Sequence, residues 1–309
     1  MRVVFMGTPD FSVPCLERLI ADGHDVVGVF TQPDKPKGRG KQMMPPPVKV
    51  KALENEIPVY QPRSMRDGEA LRILTELHPD VIVVTAFGKI LPKEILDLPQ
   101  YGCINIHASL LPRYRGAAPI QWCVLNGEAE SGVTSMQMDV GLDTGDMLLK
   151  AETTIPPDMT AGELHDKLSV MGAEVLSETL TAMRNGTLTA QKQDDALSNY
   201  APMLTKELSP IDFTKSAQTV HNQIRGLSPW PAATMTLCGK KLKVHASKLC
   251  DDKGGVPGEV VESGKRLVLA CGDGHCVEIL TVQAEGKKAM PAADYLRGSV
   301  VQKGSIATA

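Results

Sequence analysis

VIVVTAFG (Val81–Gly88) is a near-continuous run of β-branched residues, and GCINIHAS (Gly102–Ser109) reads as a further strand. The first does not alternate apolar with polar as a half-exposed strand does. An unbroken apolar run bounded by glycine fits a strand covered on both faces, as in a parallel sheet. Upstream, EALRILTELHPD (69–80) places Leu71, Leu74 and Leu77 on one helical face and stops at Pro79. Before it lie DVVGVFTQ (Asp25–Gln32) and RVVFMG (Arg2–Gly7), two more short apolar runs. A helix sits between them, bracketed at its start by Pro9 and Pro14, carrying Leu16, Leu19 and Ile20, and ending at Gly23. Strand and helix alternate throughout, which predicts a parallel α/β sheet wrapped by helices. Such sheets take ligands beyond the carboxyl ends of their strands, where Asn105 and His107 lie.

Downstream the pattern changes. Gly132–Ile155 reads as two strand arms around a Gly- and Asp-rich turn. A long helix follows, opened by a Thr160/Glu163 capping box. Leu164, Leu168, Met171, Val175, Leu180 and Met183 line its apolar face, and Gly186 ends it. Residues 191–210 are polar and contain proline, which suits a linker. Beyond a helical stretch at Ser216–Ile224 come five short runs: ATMTLCG, KLKVHASKL, GEVVES, RLVLACG and CVEILTVQ. Glycine-containing turns separate them, the spacing of a small OB-like β-barrel. The expected layout is an α/β chain: a mostly parallel, Rossmann-like domain over 1–190, a linker over 191–210, and a barrel over 211–309. There are no internal repeats.

Composition removes several classes. The 309 residues are 42% hydrophobic and 22% charged, ordinary for a globular enzyme. No apolar run reaches the roughly 18 residues of a membrane span. MRVVFMGTPDF reads as a first strand, too short in its apolar part for a signal peptide. Seven cysteines without CxxC pairs suit reduced, core-filling thiols and a cytoplasmic protein. The net charge is −3, but from Lys206 onward 14 Lys and Arg face 10 Asp and Glu, a net +4 that leaves −7 for the rest. A basic rear part suits a polyanion; chance asymmetry between two domains fits equally. No protein partner is evident, and a monomer is expected.

Asn105 and His107 are two apart, so on a strand they share a face. They fit two readings: an amide and an imidazole aimed at a developing oxyanion, or a core histidine tied to a backbone carbonyl. The turn DVGLDTGD (Asp139–Asp146) does not have EF-hand spacing. Most of its carboxylates suit a solvated turn, but Asp143, between nearby glycines, could orient an imidazole. In the loop Pro33–Lys41 four cations accompany one anion among glycines and prolines that oppose helix and strand. It is either a solvated loop or a mobile phosphate clamp. Cys271, His275 and Cys276 do not have zinc spacing, so no metal is expected. The first strand ends in GTPDFS rather than GxGxxG, and no GxSxG or Walker sequence occurs.

NIHASLLPRYRGAAPIQW (Asn105–Trp122), LDTGD, TQPDKPKGRGK with MPPPVK, and MRVVFMGTPDFSVPCLE together resemble the methionyl-tRNA formyltransferase family over essentially the whole chain. The resemblance implies the formyltransferase fold and transfer of a formyl group from 10-formyltetrahydrofolate to the α-amine of initiator methionyl-tRNA, in support of translation initiation. It implies Asn105, His107 and Asp143 as the catalytic set. Ser109, Leu110, Leu111 and Pro112 match the segment that meets the folate. Arg39 matches an arm residue that meets the acceptor end of the tRNA. Lys37 and Lys41 on the arm, with Lys241 and Lys243 on the barrel, are further candidates for phosphate contacts; Lys240 and Lys248 lie nearby. A formyltransferase acting on an amino sugar or another small amine would share the catalytic set but needs neither arm nor basic barrel. A formyl-folate hydrolase and a silent RNA-binding module are further rivals.

Overall fold

The computed structural model describes residues 1–37 and 42–309. The chain folds into two units, neither continuous in sequence. The first comprises Met1–Gly116, Gly132–Thr153 and His165–Tyr200; the second comprises Ala117–Ser131, Thr154–Leu164 and Ala201–Ala309.

In the first unit the strands are β1 (Arg2–Gly7), β2 (Asp25–Phe30), β3 (Lys35–Lys37), β4 (Gln42–Met44), β5 (Val59–Tyr60), β6 (Val81–Thr85), β7 (Cys103–His107), β8 (Arg115–Gly116), β9 (Glu130–Gln137), β10 (Met147–Thr154) and β11 (Tyr200–Ala201). Seven of them form one sheet in the order β10-β9-β7-β6-β1-β2-β5. β1, β2, β5, β6 and β7 run parallel, and β9 lies antiparallel to β7. The carboxyl ends of the five parallel strands therefore share one edge.

Helices α1 (Val13–Ala21), α2 (Pro47–Glu54), α3 (Glu69–Leu77) and α4 (Lys93–Leu96) connect the parallel strands. The unbroken apolar runs follow from this covering. Every residue of β6 is buried, and in β1 Val4 and Met6 join a core with Leu74, Ile82 and Ile95. Their neighbours Val3 and Phe5 are equally buried. The chain then passes through α5 (Pro119–Leu125) and α6 (Ala161–Arg184). The α6 cap forms as the residue pattern predicts. Glu163 Oε2 accepts from the Thr160 N–H at 2.8 Å, and Thr160 Oγ1 accepts from the Glu163 N–H at 3.2 Å. Leu164, Leu168, Val175 and Leu180 are buried along it.

One local expectation is corrected. Glycine and proline were expected to keep Pro33–Lys41 out of strand, yet Lys35–Lys37 pairs antiparallel with Gln42–Met44. Pro36 stands opposite Met43 in a two-stranded ribbon. A proline is tolerated in such a ribbon where its missing N–H faces outward.

The second unit carries α7 (Ala217–Gly226), capped by Ser216 Oγ accepting from the Thr219 N–H. Its strands are β12 (Ala233–Leu237), β13 (Lys240–Lys253), β14 (Val260–Glu262), β15 (Leu267–Ala270), β16 (His275–Ala284) and β17 (Met290–Pro291), with α8 (Ala292–Gly298) after them. They form an antiparallel sheet ordered β12-β13-β16-β15-β14, with β17 also on β16. The C-terminal tail bridges both edges, Thr308 to Thr236 and Ile306 to Glu259, closing the sheet into a barrel. Closure removes the exposed edges that an open sheet would leave. Along β13, Leu242 and Val244 face the core while Lys241 and Lys243 are exposed. Among the described residues, no helix is long and apolar enough to cross a membrane.

Candidate active site

The candidate residues gather at the carboxyl end of β7. Ile104 and Ile106 point into the core at 0% and 2% exposure, which leaves the opposite face to Asn105 and His107. The Asn105 amide makes no hydrogen bond among the described residues, and its side chain is half-buried. A donor in that state is available to a ligand.

His107 is 6% exposed. Its Nε2 lies 2.9 Å from the Tyr114 carbonyl oxygen, so that nitrogen carries the proton and donates. Its Nδ1 faces Asp143 Oδ2 at 3.7 Å, too long for a hydrogen bond. Nδ1 is therefore the nitrogen with an open lone pair, and an anionic carboxylate stands beside it.

Asp143 is fixed by its surroundings rather than by the imidazole. Its Oδ2 accepts from the Gly116 N–H at 2.8 Å. Gln193 Nε2 donates to the Asp143 and Gly145 carbonyls, both at 2.8 Å. Asp139 Oδ1 accepts from the Gly141 N–H and from the Thr144 hydroxyl, tightening the same loop. A Cβ at Gly145 would stand 1.7 Å from the Gln137 carbonyl oxygen, so only glycine lets the loop close this tightly. Asp143 itself has φ 54°, the left-handed region that aspartate tolerates better than most residues.

Tyr114 has φ 59°, a costly conformation for a bulky residue, on the order of 1–3 kcal/mol. Asn199 Oδ1 accepts its N–H at 2.5 Å, and β8 holds to the same segment through the Arg115 N–H on the Asn199 carbonyl. The strain turns the Tyr114 carbonyl onto His107. Residue patterns did not reveal Tyr114, Gln193 or Asn199 as parts of the site. Gln193 and Asn199 fall in the polar stretch 191–210, where nothing periodic marks a side chain that braces a distant loop.

The SLLP turn is braced from within. Ser109 Oγ donates to the Arg113 carbonyl at 2.7 Å. Thr134 Oγ1 donates to the Ser109 carbonyl and accepts from the Leu111 N–H. Lys150 Nζ donates to the Leu111 carbonyl at 2.6 Å. The Leu111 side chain packs on Met136 and Met147. Leu110 and Pro112 are half-buried.

Arg39, Lys41 and the Lys37 side chain lie outside the described residues. All seven cysteines are free thiols. Burial pushes Cys15 and Cys103 up to about 12, which makes both poor nucleophiles. Among the described residues, no group of three or more His, Cys, Asp and Glu is placed to hold a metal ion.

The chain matches the formyl transferase family over residues 1–180 and the C-terminal domain of formyl transferases over 203–300. It is 54% identical to a methionyl-tRNA formyltransferase of Geotalea uraniireducens, covering 99% of this chain and 97% of that protein. It is likewise 54% identical to the methionyl-tRNA formyltransferase of Citrifermentans bemidjiense, covering 99% and 96%. A solved N-formyltransferase from Helicobacter canadensis, in complex with folinic acid and dTDP-3-aminofucose, shares the fold at TM-score 0.72. Its sequence is only 22% identical, with 92% of this chain and 99% of that one covered. High identity thus lies with enzymes named for a tRNA acceptor, and the enzyme of the amino-sugar complex shares the fold alone. With both domain matches and near-full-length relatives in agreement, the chain belongs to the methionyl-tRNA formyltransferase family.

Proposed function

We propose that this chain transfers the formyl group of 10-formyltetrahydrofolate to the α-amine of initiator methionyl-tRNA, with Asn105, His107 and Asp143 as the working groups. The observation that carries this reading is the open pair on β7. A free amide and an imidazole with an unused Nδ1 share one face, and a braced carboxylate stands 3.7 Å from the ring. A satisfied structural histidine would leave neither group unused.

The folate supplies an activated formyl carbon on N10. The α-amine of the methionyl ester attacks that carbon in its neutral form, which an α-amine readily reaches near neutral pH. No enzyme nucleophile is needed. A C–N bond forms, and the formyl oxygen becomes an oxyanion. The Asn105 amide donates to that oxyanion as the charge develops. His107 Nδ1 takes the proton released by the attacking nitrogen while Asp143 balances the imidazolium charge. The proton then goes to N10 as its bond to the formyl carbon breaks, leaving tetrahydrofolate and formyl-methionyl-tRNA. A 3.7 Å separation suits a contact that tightens as the imidazole takes up the proton. Leu110 and Pro112 present the SLLP surface to the folate, and Lys241 and Lys243 offer an exposed cationic row for tRNA phosphates. The reduced thiols suit a cytoplasmic enzyme.

Incubation of the purified protein with 10-formyltetrahydrofolate and methionine-charged initiator tRNA tests the reading. Formyl-methionyl-tRNA is the expected product. Release of free formate alone, or formylation of an amino sugar in preference to the tRNA, would overturn it.

A further inference from the structure

Arg115 sits between the strained Tyr114 and Gly116, the residue whose N–H holds Asp143. An arginine this close to the site of an enzyme with a polyanionic acceptor invites a phosphate contact. Its surroundings oppose that use. The side chain is only 11% exposed. Its Nε donates to Gln193 Oε1 at 3.0 Å, and a terminal nitrogen donates to Asp195 Oδ1 at 2.8 Å. The Arg115 backbone N–H is taken as well, by the Asn199 carbonyl.

The hold on Gln193 matters more than the ion pair. The Asp195 side chain is 83% exposed, and an ion pair in solvent contributes little. Gln193 is half-buried between the exposed Lys192 and Asp194, at a position with neither helix nor strand. A primary amide there can turn about its last bond and exchange its oxygen for its nitrogen. Only one of the two orientations serves the Asp143 loop. With the nitrogen inward, the amide donates to the Asp143 and Gly145 carbonyls, both at 2.8 Å. With the oxygen inward, acceptor would face acceptor. Arg115 Nε can only donate, so it pairs with the oxygen end and fixes the useful orientation. The contacts form a closed ring. Gly116 N–H holds the Asp143 carboxylate, Gln193 holds the Asp143 carbonyl, Arg115 holds Gln193, and the Arg115–Gly116 peptide completes the circuit. A ring of this kind confines the carboxylate more tightly than either contact alone.

We propose that Arg115 is a positioning residue for formyl transfer, one that locks the Gln193 amide and through it the loop that carries Asp143 to His107. The proposal rests on the proposed catalytic role of Asp143 and adds to it a residue that acts through another. Lysine does not replace arginine here, because its chain puts a methylene where Nε stands.

The test is a double-mutant cycle of Arg115→Met and Gln193→Ala. It measures kcat and the Michaelis constant for methionyl-tRNA from low to high salt. Each single variant is expected to lower kcat about fivefold, the loss of one hydrogen-bonding partner. The double variant should be no slower than Gln193→Ala alone, because Arg115 then has nothing left to orient. The tRNA constant and its salt slope stay at the wild-type values. Losses that multiply to roughly 25-fold would mean that Arg115 acts independently of Gln193, and would overturn the proposal. So would a wild-type kcat in Arg115→Met, or a raised tRNA constant with a shallower salt slope, the mark of a lost phosphate contact. Should Arg115→Met not fold, Arg115→Lys takes its place in the cycle: it keeps the cation, lacks the Nε donor, and is read against the same outcomes. A wild type without formyl transfer, or Asp143→Asn at full speed, sinks the functional reading instead.

Discussion

His107 and His221 are both buried, and they use their ring nitrogens in opposite ways. His221 is 1% exposed on α7, and both its nitrogens are used: Nδ1 with Ser247 Oγ at 2.9 Å and Nε2 on the Pro157 carbonyl at 3.0 Å. Its neighbour Arg225 is equally enclosed, donating to Asn222 Oδ1 and to the Met159 carbonyl. His107 uses one nitrogen and leaves the other beside a carboxylate it does not reach. The first arrangement is the usual solution for a buried polar group, with every valence filled. The second leaves a valence open and surrounds it with strained backbone at Tyr114 and Asp143. Burial alone does not distinguish the two histidines; the number of filled partners does.

The contrast predicts opposite failures. His107→Ala should lower kcat by about 10² to 10³ with little change in melting temperature, measured by formylation kinetics and thermal unfolding together. Asp143→Asn keeps the Gly116 contact and removes the charge, so a loss of about 10² in kcat is expected with the fold intact. His221→Ala should do the reverse. It strips partners from Ser247 and the Pro157 carbonyl and should cost about 2 kcal/mol in denaturant unfolding. The surviving folded enzyme should turn over normally.

His221 also carries a pH signature. Burial holds its imidazole below the ordinary 6.5. The unfolded chain therefore binds this proton first, and stability should fall as pH drops below about 6.5, levelling only once the folded ring protonates. Unfolding measured from pH 8 to pH 5 should show a flatter profile for His221→Gln than for the wild type.

Much of the site was legible in the residues, and the part that was not has a common cause. The parallel sheet followed from covered, unbroken runs such as Val81–Thr85. The Thr160 cap followed from its spacing to Glu163, and Asn105 with His107 followed from the two-residue period of a strand. These are local patterns, set within a few residues. The brace is not local. Gln193 reaches the Asp143 loop from 50 residues away, and Asn199 reaches Tyr114 across 85. Long-range partners leave no periodic mark, and a polar stretch that braces a loop has the composition of a linker. The pairing of Lys35–Lys37 with Gln42–Met44 was hidden for a related reason, since proline opposes strand in general and is admitted only where its face points away from the ladder. Helix α2 was equally faint, because only Val48 and Ala52 of its eight residues are buried.

The smaller effects refine the contrast. Gln193→Ala loosens the Asp143 loop without touching the reacting atoms, and a drop of about fivefold in kcat is expected, consistent with one hydrogen-bonding side chain. Thiol labelling at pH 8 should mark Cys238 first among the seven cysteines. Cys238 is exposed, whereas burial pushes Cys15, Cys103 and Cys271 up to about 12. Mass spectrometry of labelled peptides would read the order.

Single-turnover formylation of methionine-charged initiator tRNA by purified His107→Ala, with its fold verified by circular dichroism, asks whether the open nitrogen does the chemistry. A rate about 10² to 10³ below wild type is predicted, and a rate near wild type would contradict the assignment of His107, and with it the catalytic role of the open pair on β7.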